Sequence, residues 1–425
     1  MKRALGVWLV CWGCAAPGPE RRPLLLADRT DAAPAALEAQ LLAPYLARHP
    51  DLDLVRRSSA ALGDEYDRGL LLSLAHDDPP DAFLLDDEQF PRVADRGVAL
   101  DLTPYLPRVG VTPSRFDPTV LALFRRGTDV YALPRGYTPV VVAYNQDLFD
   151  RAGIPYPTDD WAWDDFMRVA HQLTRATHGA GAINQWGSAL DRRPTLFLPW
   201  IWAGGGDVLC ADGRRATGCL DSRATIEALR WYTAWVAPGG IAPRITDGRA
   251  APGAAVRLFN AGRLALLTTG HWAVPELRAA VMAGRLRVGF VAIPHRAGAA
   301  PATVLYASGY AVRAATARRK AAVELAAELS DSAAGLARGQ AGLELPAVTQ
   351  AAAELAAADP LGWEAAFLRA AAHGRPSWAA RVAAWREVEG RLTDLIDRLV
   401  LTDADPSRAA QSAARELDRV LGATR

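Results

Sequence analysis

The chain has 425 residues, 50% hydrophobic and 22% charged, with a formal net charge of +1. That is the composition of a globular protein with a sizeable core, long enough for two domains or one large two-lobed unit. Near-neutral charge with scattered basic residues implies no polyanion partner and no nucleic acid. Lysine stands only at Lys2 and Lys320, neither in a Gly-Lys-Ser/Thr context, which excludes a phosphate loop and leaves almost no Schiff-base candidate. The seven histidines (49, 76, 171, 178, 271, 295 and 373) form no close ligand pair, so neither a metal nor a cofactor is expected.

Met1-Lys2-Arg3 is basic, and residues 4–10 are apolar apart from Gly6. Cys11-Trp12-Gly13-Cys14 follows, and then Ala15-Ala16-Pro17-Gly18-Pro19 reads as a tether. The stretch resembles a bacterial lipoprotein signal, in which a cysteine is acylated and becomes the new N-terminus. That resemblance makes residues 1–13 the signal, Cys14 the lipidated residue and 14–23 the tether; two acyl chains on Cys14 would anchor the protein stably. Cys11 departs from the pattern by standing where such signals usually carry leucine, Trp12 is bulky, and the apolar run is short. Two other readings compete. An uncut anchor falls far below the roughly 20 residues that span a bilayer, and a redox CxxC pair expects a thioredoxin-like βαβ context.

Residues 24–27 predict a short apolar strand, 35–47 an amphipathic helix containing Pro44, and a second strand begins at Asp53. Residues 82–85 are continuously apolar, as buried parallel strands are, and the alternation with helices points to an α/β fold with a helix-covered sheet. Residues 147–152 read as a short helix closed by Gly153. Trp163, Phe166, Val169, Ala170 and Leu173 recur at helical spacing, a stripe that by itself is core. Gly204-Gly205-Gly206 lacks dinucleotide-loop spacing and reads as a turn after a helix. Cys210 and Cys219 flank a turn-rich stretch that suggests a hairpin; in an exported chain they would form a disulfide across it or stay two half-buried thiols. Strands are further expected over 140–144, 264–269 and 288–293. From about Ser308 the chain turns largely helical, with amphipathic stretches at 319–329 and 387–399.

Several segments resemble the family 1 extracellular solute-binding proteins, the maltose-binding-protein-like group that serves sugar importers. They are Gly97-Val98-Ala99-Leu100-Asp101-Leu102-Thr103, Tyr131-Ala132-Leu133-Pro134, Tyr144-Asn145-Gln146-Asp147-Leu148-Phe149 with Ala152-Gly153-Ile154, and Trp161-Ala162-Trp163-Asp164-Asp165-Phe166 with Leu173-Thr174. Gly204-Gly205-Gly206-Asp207, Phe259-Asn260-Ala261-Gly262-Arg263, Gly270-His271-Trp272 and Val288-Gly289-Phe290 with Pro294 follow in family order. Ala162 departs from the pattern, which often has a threonine able to cap the helix. The resemblance implies an α/β, two-lobed periplasmic-binding-protein fold (type II-like), with hinge-linked lobes and a helical C-terminal region. By resemblance the chain crosses between lobes near 136–139, 304–308 and 341–346, giving one lobe of residues 24–136 and 309–341 and another of 137–308 and 342–425.

A sugar presents hydroxyl edges and an apolar C–H face, so it calls for planar aromatic faces and fixed polar groups. The resemblance makes Trp272, in the Gly-x-Trp segment, and Trp385, in the C-terminal helical region, stacking positions. Asp86, Asp87 and Glu88 follow the strand 82–85 at its carboxyl end, where ligands of open α/β sheets bind; the alternative is a solvated acidic turn. Arg29 and Asp31, after the first strand, are candidates of the same kind. Tyr137 and Thr138 sit at the first crossing, and Trp200 and Trp202 line the cleft or pack beneath it. The implied protein is an extracytoplasmic, lipid-anchored, monomeric substrate-binding protein of an ABC importer that captures a carbohydrate and meets permease subunits. It has no catalytic residues. The alternatives are an organophosphate ligand held by Arg29 or Arg135, an exported glycoside hydrolase using two carboxylates that no motif selects, and a sensor with the same fold.

Overall fold

The structure is a computed structural model that describes residues 22–29, 35–59, 64–176, 183–243, 253–402 and 404–423. The leader with Cys14, and Asp31, lie outside the described residues.

The first strands are β1 (Leu24–Arg29), β2 (Leu54–Ser59) and β3 (Ala82–Asp86). All but the last residue of β1 and of β3 are buried, so a continuously apolar run suits both. They pair in parallel with β1 central, and helices Ala35–Arg48 and Asp64–Leu74 are the crossovers that parallel pairing demands. A small hairpin of β4 (Arg125–Arg126) and β5 (Asp129–Val130) leads into β6 (Ala132–Pro139), and one residue separates β6 from β7 (Val141–Asn145). The later strands are β8 (Leu266–Thr269), β9 (Val288–Val291), β10 (Thr303–Val312), β11 (Leu345–Pro346) and β12 (Gly374–Pro376).

The first sheet has the order β11-β6-β10-β3-β1-β2, with β12 also on β10, and the second has the order β8-β7-β9. β10 belongs to both halves of the molecule. Its Ser308–Val312 end pairs antiparallel with β3, while its Thr303–Leu305 end pairs with β12. The three segments expected to cross between lobes lie in register: Thr138 opposes Tyr306, and Tyr137 opposes both Ala307 and Leu345. Residues 136–139 and 304–308, expected to be crossings, lie in the central strands β6 and β10. The helical C-terminal region begins after Val312, later than the composition around Ser308 suggests, and β11 and β12 interrupt it.

Alternation along 140–143 explains how the second sheet buries both faces. Val141 and Ala143 join a core that includes Leu26, Phe83, Phe124 and Tyr310 of the first lobe and Phe290 and Phe367 of the second. Val140 and Val142 face the other way, onto helices Trp163–Leu173, Pro194–Ala203, Arg223–Thr233 and Trp385–Leu401. Trp163 stacks on Trp231 in that second core, with ring centroids 4.0 Å apart. The helix Gln146–Ala152 is capped by Asn145 Oδ1, which accepts from the Leu148 N–H at 3.2 Å, and it closes at Gly153 with φ 63°, a left-handed value that favours glycine. At Ala162 the missing threonine is offset from the other side, because the Asp165 carboxylate accepts from the Ala162 N–H at 3.2 Å.

Cys210 and Cys219 are joined by a disulfide with their Cα atoms 5.4 Å apart. The loop between them is built of turns and not of a strand pair, which corrects the hairpin expected there.

Candidate functional site

Three features converge: the carboxyl ends of β1 and β3, the neighbouring strands β6 and β10 with residues 343–344, and the aromatic side chains of Trp272 and Trp385. Together they enclose a cavity of about 560 Å³. Its walls include Arg29, Asp86, Asp87 and Glu88 at the ends of β1 and β3, Tyr137, Thr138, Tyr306, Ser308 and Glu344 from the expected crossings, and Arg193, Trp272, Trp385 and Glu389. A smaller cavity of about 140 Å³ adjoins it, sharing Arg193, Leu196 and Trp272 and reaching Asp191, Thr268, Thr269 and Thr393.

Arg29 closes β1 and donates from Nη1 to Asp86 Oδ2 at the end of β3, so this ion pair bridges the two strand ends. Asp87, next in the chain, is buried. Its N–H donates to the Ala307 carbonyl at 2.9 Å, Oδ1 accepts from the Ala307 N–H at 3.2 Å, and Oδ2 accepts from Ser377 Oγ. Burial pushes its carboxyl up to about 7, with the hydrogen bonds pulling the other way. Asp87 thus ties β3 to β10 and to the loop that precedes Trp385. Arg135 lies behind the wall with its Nε 3.0 Å from Glu344 Oε1.

The Thr138 hydroxyl donates to the Pro139 carbonyl at 2.8 Å and accepts from the His271 N–H at 2.7 Å, so its one proton is spent on the wall. Tyr137 is buried, and desolvation raises its phenol pKa well above the ordinary value. Trp272 is the contrast: 47% of it is exposed, on a short turn after β8, and its indole forms part of the cavity wall. Trp385 is only 6% exposed, at the start of its helix, and belongs to the core while bordering the cavity.

Of the residues singled out by sequence, Arg29, Asp86, Asp87, Glu88, Tyr137, Thr138, Trp272 and Trp385 come together around this one cavity. Trp200 and Trp202 do not. Their helix, Pro194–Ala203, is apolar almost throughout and buried along most of its length; it meets the cavity with Thr195 and Leu196 of its first turn, while both tryptophans pack in the core. Trp200 packs against Phe166 and Trp235, with centroids 5.0 and 4.8 Å away, and Trp202 lies under the Arg375 guanidinium. Sequence reasoning missed Arg193, Tyr306, Ser308, Glu344 and Glu389. Glu389 stands four residues after Trp385, hence on the same helix face. Tyr306, Ser308 and Glu344 fall within the expected crossings, and either signal would have found them.

The lining offers planar apolar faces beside fixed hydrogen-bonding groups, and its carboxyl groups (Asp86, Asp87, Glu88, Glu344, Glu389) outnumber its guanidinium groups (Arg29, Arg193). Such a surface suits a neutral polyhydroxylated ligand better than an anion. Among the described residues no group of three or more His, Cys, Asp or Glu side chains could hold a metal ion, and no helix is long and apolar enough to cross a membrane.

Residues 27–335 match the profile of the family described as bacterial extracellular solute-binding protein. A Brucella abortus (strain 2308) chain named as a binding protein is 25% identical over 181 residues, spanning 42% of this chain and 41% of that one. Among solved structures, an ABC substrate-binding protein of Listeria monocytogenes in complex with cycloalternan superposes with TM-score 0.81 at 24% identity, covering 94% of this chain and 99% of that one. The UgpB protein of Mycobacterium tuberculosis in complex with glycerophosphocholine gives 0.80 at 22% identity over 95% and 99%. The maltose/maltodextrin-binding domain of Bdellovibrio bacteriovorus bound to maltotriose gives 0.72 at 19% identity over 95% and 99%. At these identities the likeness is one of fold.

Proposed function

We propose, from the premise that the chain belongs to the bacterial extracellular solute-binding protein family, that it captures a carbohydrate between its lobes and delivers it to an ABC importer without chemical turnover. The observation that carries this reading is the half-exposed indole of Trp272 in the wall of a cavity that also presents carboxyl, hydroxyl and guanidinium groups. A flat apolar surface left uncovered inside a cleft is what the C–H face of a sugar ring needs. The surrounding carboxylates supply acceptors for its hydroxyls. Two of the solved relatives hold saccharides, cycloalternan and maltotriose, which supports the same reading. The glycerophosphocholine held by another raises an organophosphate ligand, but the excess of carboxyl over guanidinium groups in this lining weighs against an anion. The smaller cavity behind Trp272 gives room for a ligand of more than one ring.

In this reading the lobes are residues 24–136 with 309–341 and 137–308 with 342–425, and they close on the ligand by bending at the three crossings. The protein works as a monomer, held outside the cytoplasm by lipid on Cys14 and visited by the permease subunits of its transporter. Mass spectrometry of membrane-associated protein tests the anchor: a diacylated Cys14 at the mature N-terminus is expected, and an unmodified Cys14 would refute it. A thermal-shift screen over neutral carbohydrates and glycerol phosphodiesters tests the ligand, because a molecule bound only by the folded state raises the melting temperature by mass action. A neutral sugar should stabilise; stabilisation by phosphodiesters alone would overturn the proposal.

A further inference from the structure

The turn that carries Trp272 rests on buried polar groups. His271–Ala273 is a single short turn after β8, and the residues beneath it are among the most deeply buried polar groups of the second lobe. His271 and Glu364 are both fully buried, with His271 Nε2 lying 2.7 Å from Glu364 Oε2. The other Glu364 oxygen, Oε1, accepts from Arg278 Nη2 at 3.1 Å. Arg278 also donates from Nη1 to the carbonyl of Gln340 at 3.0 Å, at the end of the helix Ser332–Gln340 and just before the third crossing. The His271 N–H donates to Thr138 Oγ1 in the first crossing. The turn that bears Trp272 is therefore fastened to the first crossing and, through Glu364 and Arg278, to the residue just before the third. A carboxylate as buried as Glu364 demands both of its partners, so the arrangement is fixed and not fluid.

Gly270 completes the device. Its backbone is extended, at φ −125° and ψ −170°, which any residue can adopt, so conformation does not require glycine here. Space does. A Cβ on residue 270 would lie 2.3 Å from Cζ3 and 2.5 Å from Cη2 of the Trp272 ring. The indole folds back over the bare α-carbon, and a single added carbon would have to push it away. The ring is half-exposed at the end of two rotatable bonds, so the ring gives way and not the backbone.

We propose that Gly270 and Glu364 are positioning residues for the Trp272 indole: Gly270 leaves the space in which the ring lies, and Glu364, through His271 and Arg278, locks its turn to the hinge. The use of that ring pose rests on the carbohydrate reading, but the pose itself does not. The test is fluorine NMR of the full chain carrying 5-fluorotryptophan, with no ligand added and the Trp272 signal assigned by its loss in Trp272→Phe. Gly270→Ala should move the Trp272 resonance by more than its linewidth, leave the other tryptophan signals in place and leave the melting temperature unchanged. Glu364→Gln should move the same resonance. Arg278→Met, which removes the anchor to Gln340 from a less buried position, should do so even if the Glu364 variant does not fold. A Trp272 resonance that stays in place in Gly270→Ala, or in both Glu364→Gln and Arg278→Met, overturns the proposal. Because no sugar is present, that failure is separable from a failure of carbohydrate binding.

Discussion

Replacing Trp272 with alanine separates binding from folding more cleanly than any other single change. A tryptophan side chain can bury roughly 150–250 Å², and 47% of Trp272 is exposed. About 70–120 Å² is thus available for a ligand to cover, which at about 25 cal/mol per Å² corresponds to about 2–3 kcal/mol. That is a loss of about 20- to 150-fold in affinity, since 1.4 kcal/mol is tenfold. The side chain is not core, so the melting temperature should fall little. Isothermal titration calorimetry of wild type and Trp272→Ala, with the sugar found by thermal shift, reads the first quantity, and a thermal melt reads the second. Unchanged affinity together with a large loss of stability would refute the reasoning, because it would make Trp272 a structural residue that merely borders the cavity.

The other tryptophans divide by burial. Trp385→Ala should lose affinity and about 3–5 kcal/mol of stability together, because the ring is 6% exposed, whereas Trp163→Ala should lose stability of that order and keep its affinity, as its ring is stacked on Trp231 in the core; melts and calorimetry on both variants check this. Removing the disulfide with Cys210→Ser and Cys219→Ser should cost about 2–3 kcal/mol for so short a loop, and thiol titration of the native protein should find neither cysteine free. Asp87 makes stability depend on pH. Its folded-state pKa, about 7, lies above the unfolded value of about 3.9, so its contribution is complete below about pH 4 and is lost as pH rises through 7. Asp87→Asn cannot ionise and should gain melting temperature relative to wild type between pH 5 and 8; a difference that stays constant over that range would show that Asp87 does not titrate there.

The elements that could be read from the chain are those whose burial is written into local pattern. β1 and β3 are continuously apolar because parallel strands covered on both faces have no solvent side. Helix Trp163–Leu173 shows its inward stripe at helical spacing. β6 and β10 were not legible as strands, because Pro134, Gly136 and Pro139 in one, and Ser308-Gly309 in the other, are turn-forming residues. Long-range pairing overrides that preference, with a bulge in the register at Ser308/Gly309. The same division holds at the site. Asp86, Asp87 and Glu88 could be placed because strand ends of open α/β sheets face ligand clefts. For Trp200 and Trp202 the sequence leaves open whether they line the cleft or pack beneath it, because a helix this apolar carries no mark of which neighbour each indole meets. Arg193 had no local signal; only the packing of its helix brings it to the cavity.

The account turns on a carbohydrate being held intact between the lobes, and native mass spectrometry of the purified chain incubated with a mixture of neutral oligosaccharides and glycerol phosphodiesters tests that directly. The expected result is a one-to-one adduct with a neutral sugar of unaltered mass, absent when Trp272→Ala is incubated at the same concentrations. Retention of the phosphodiesters alone, or the appearance of shortened sugars, would contradict it.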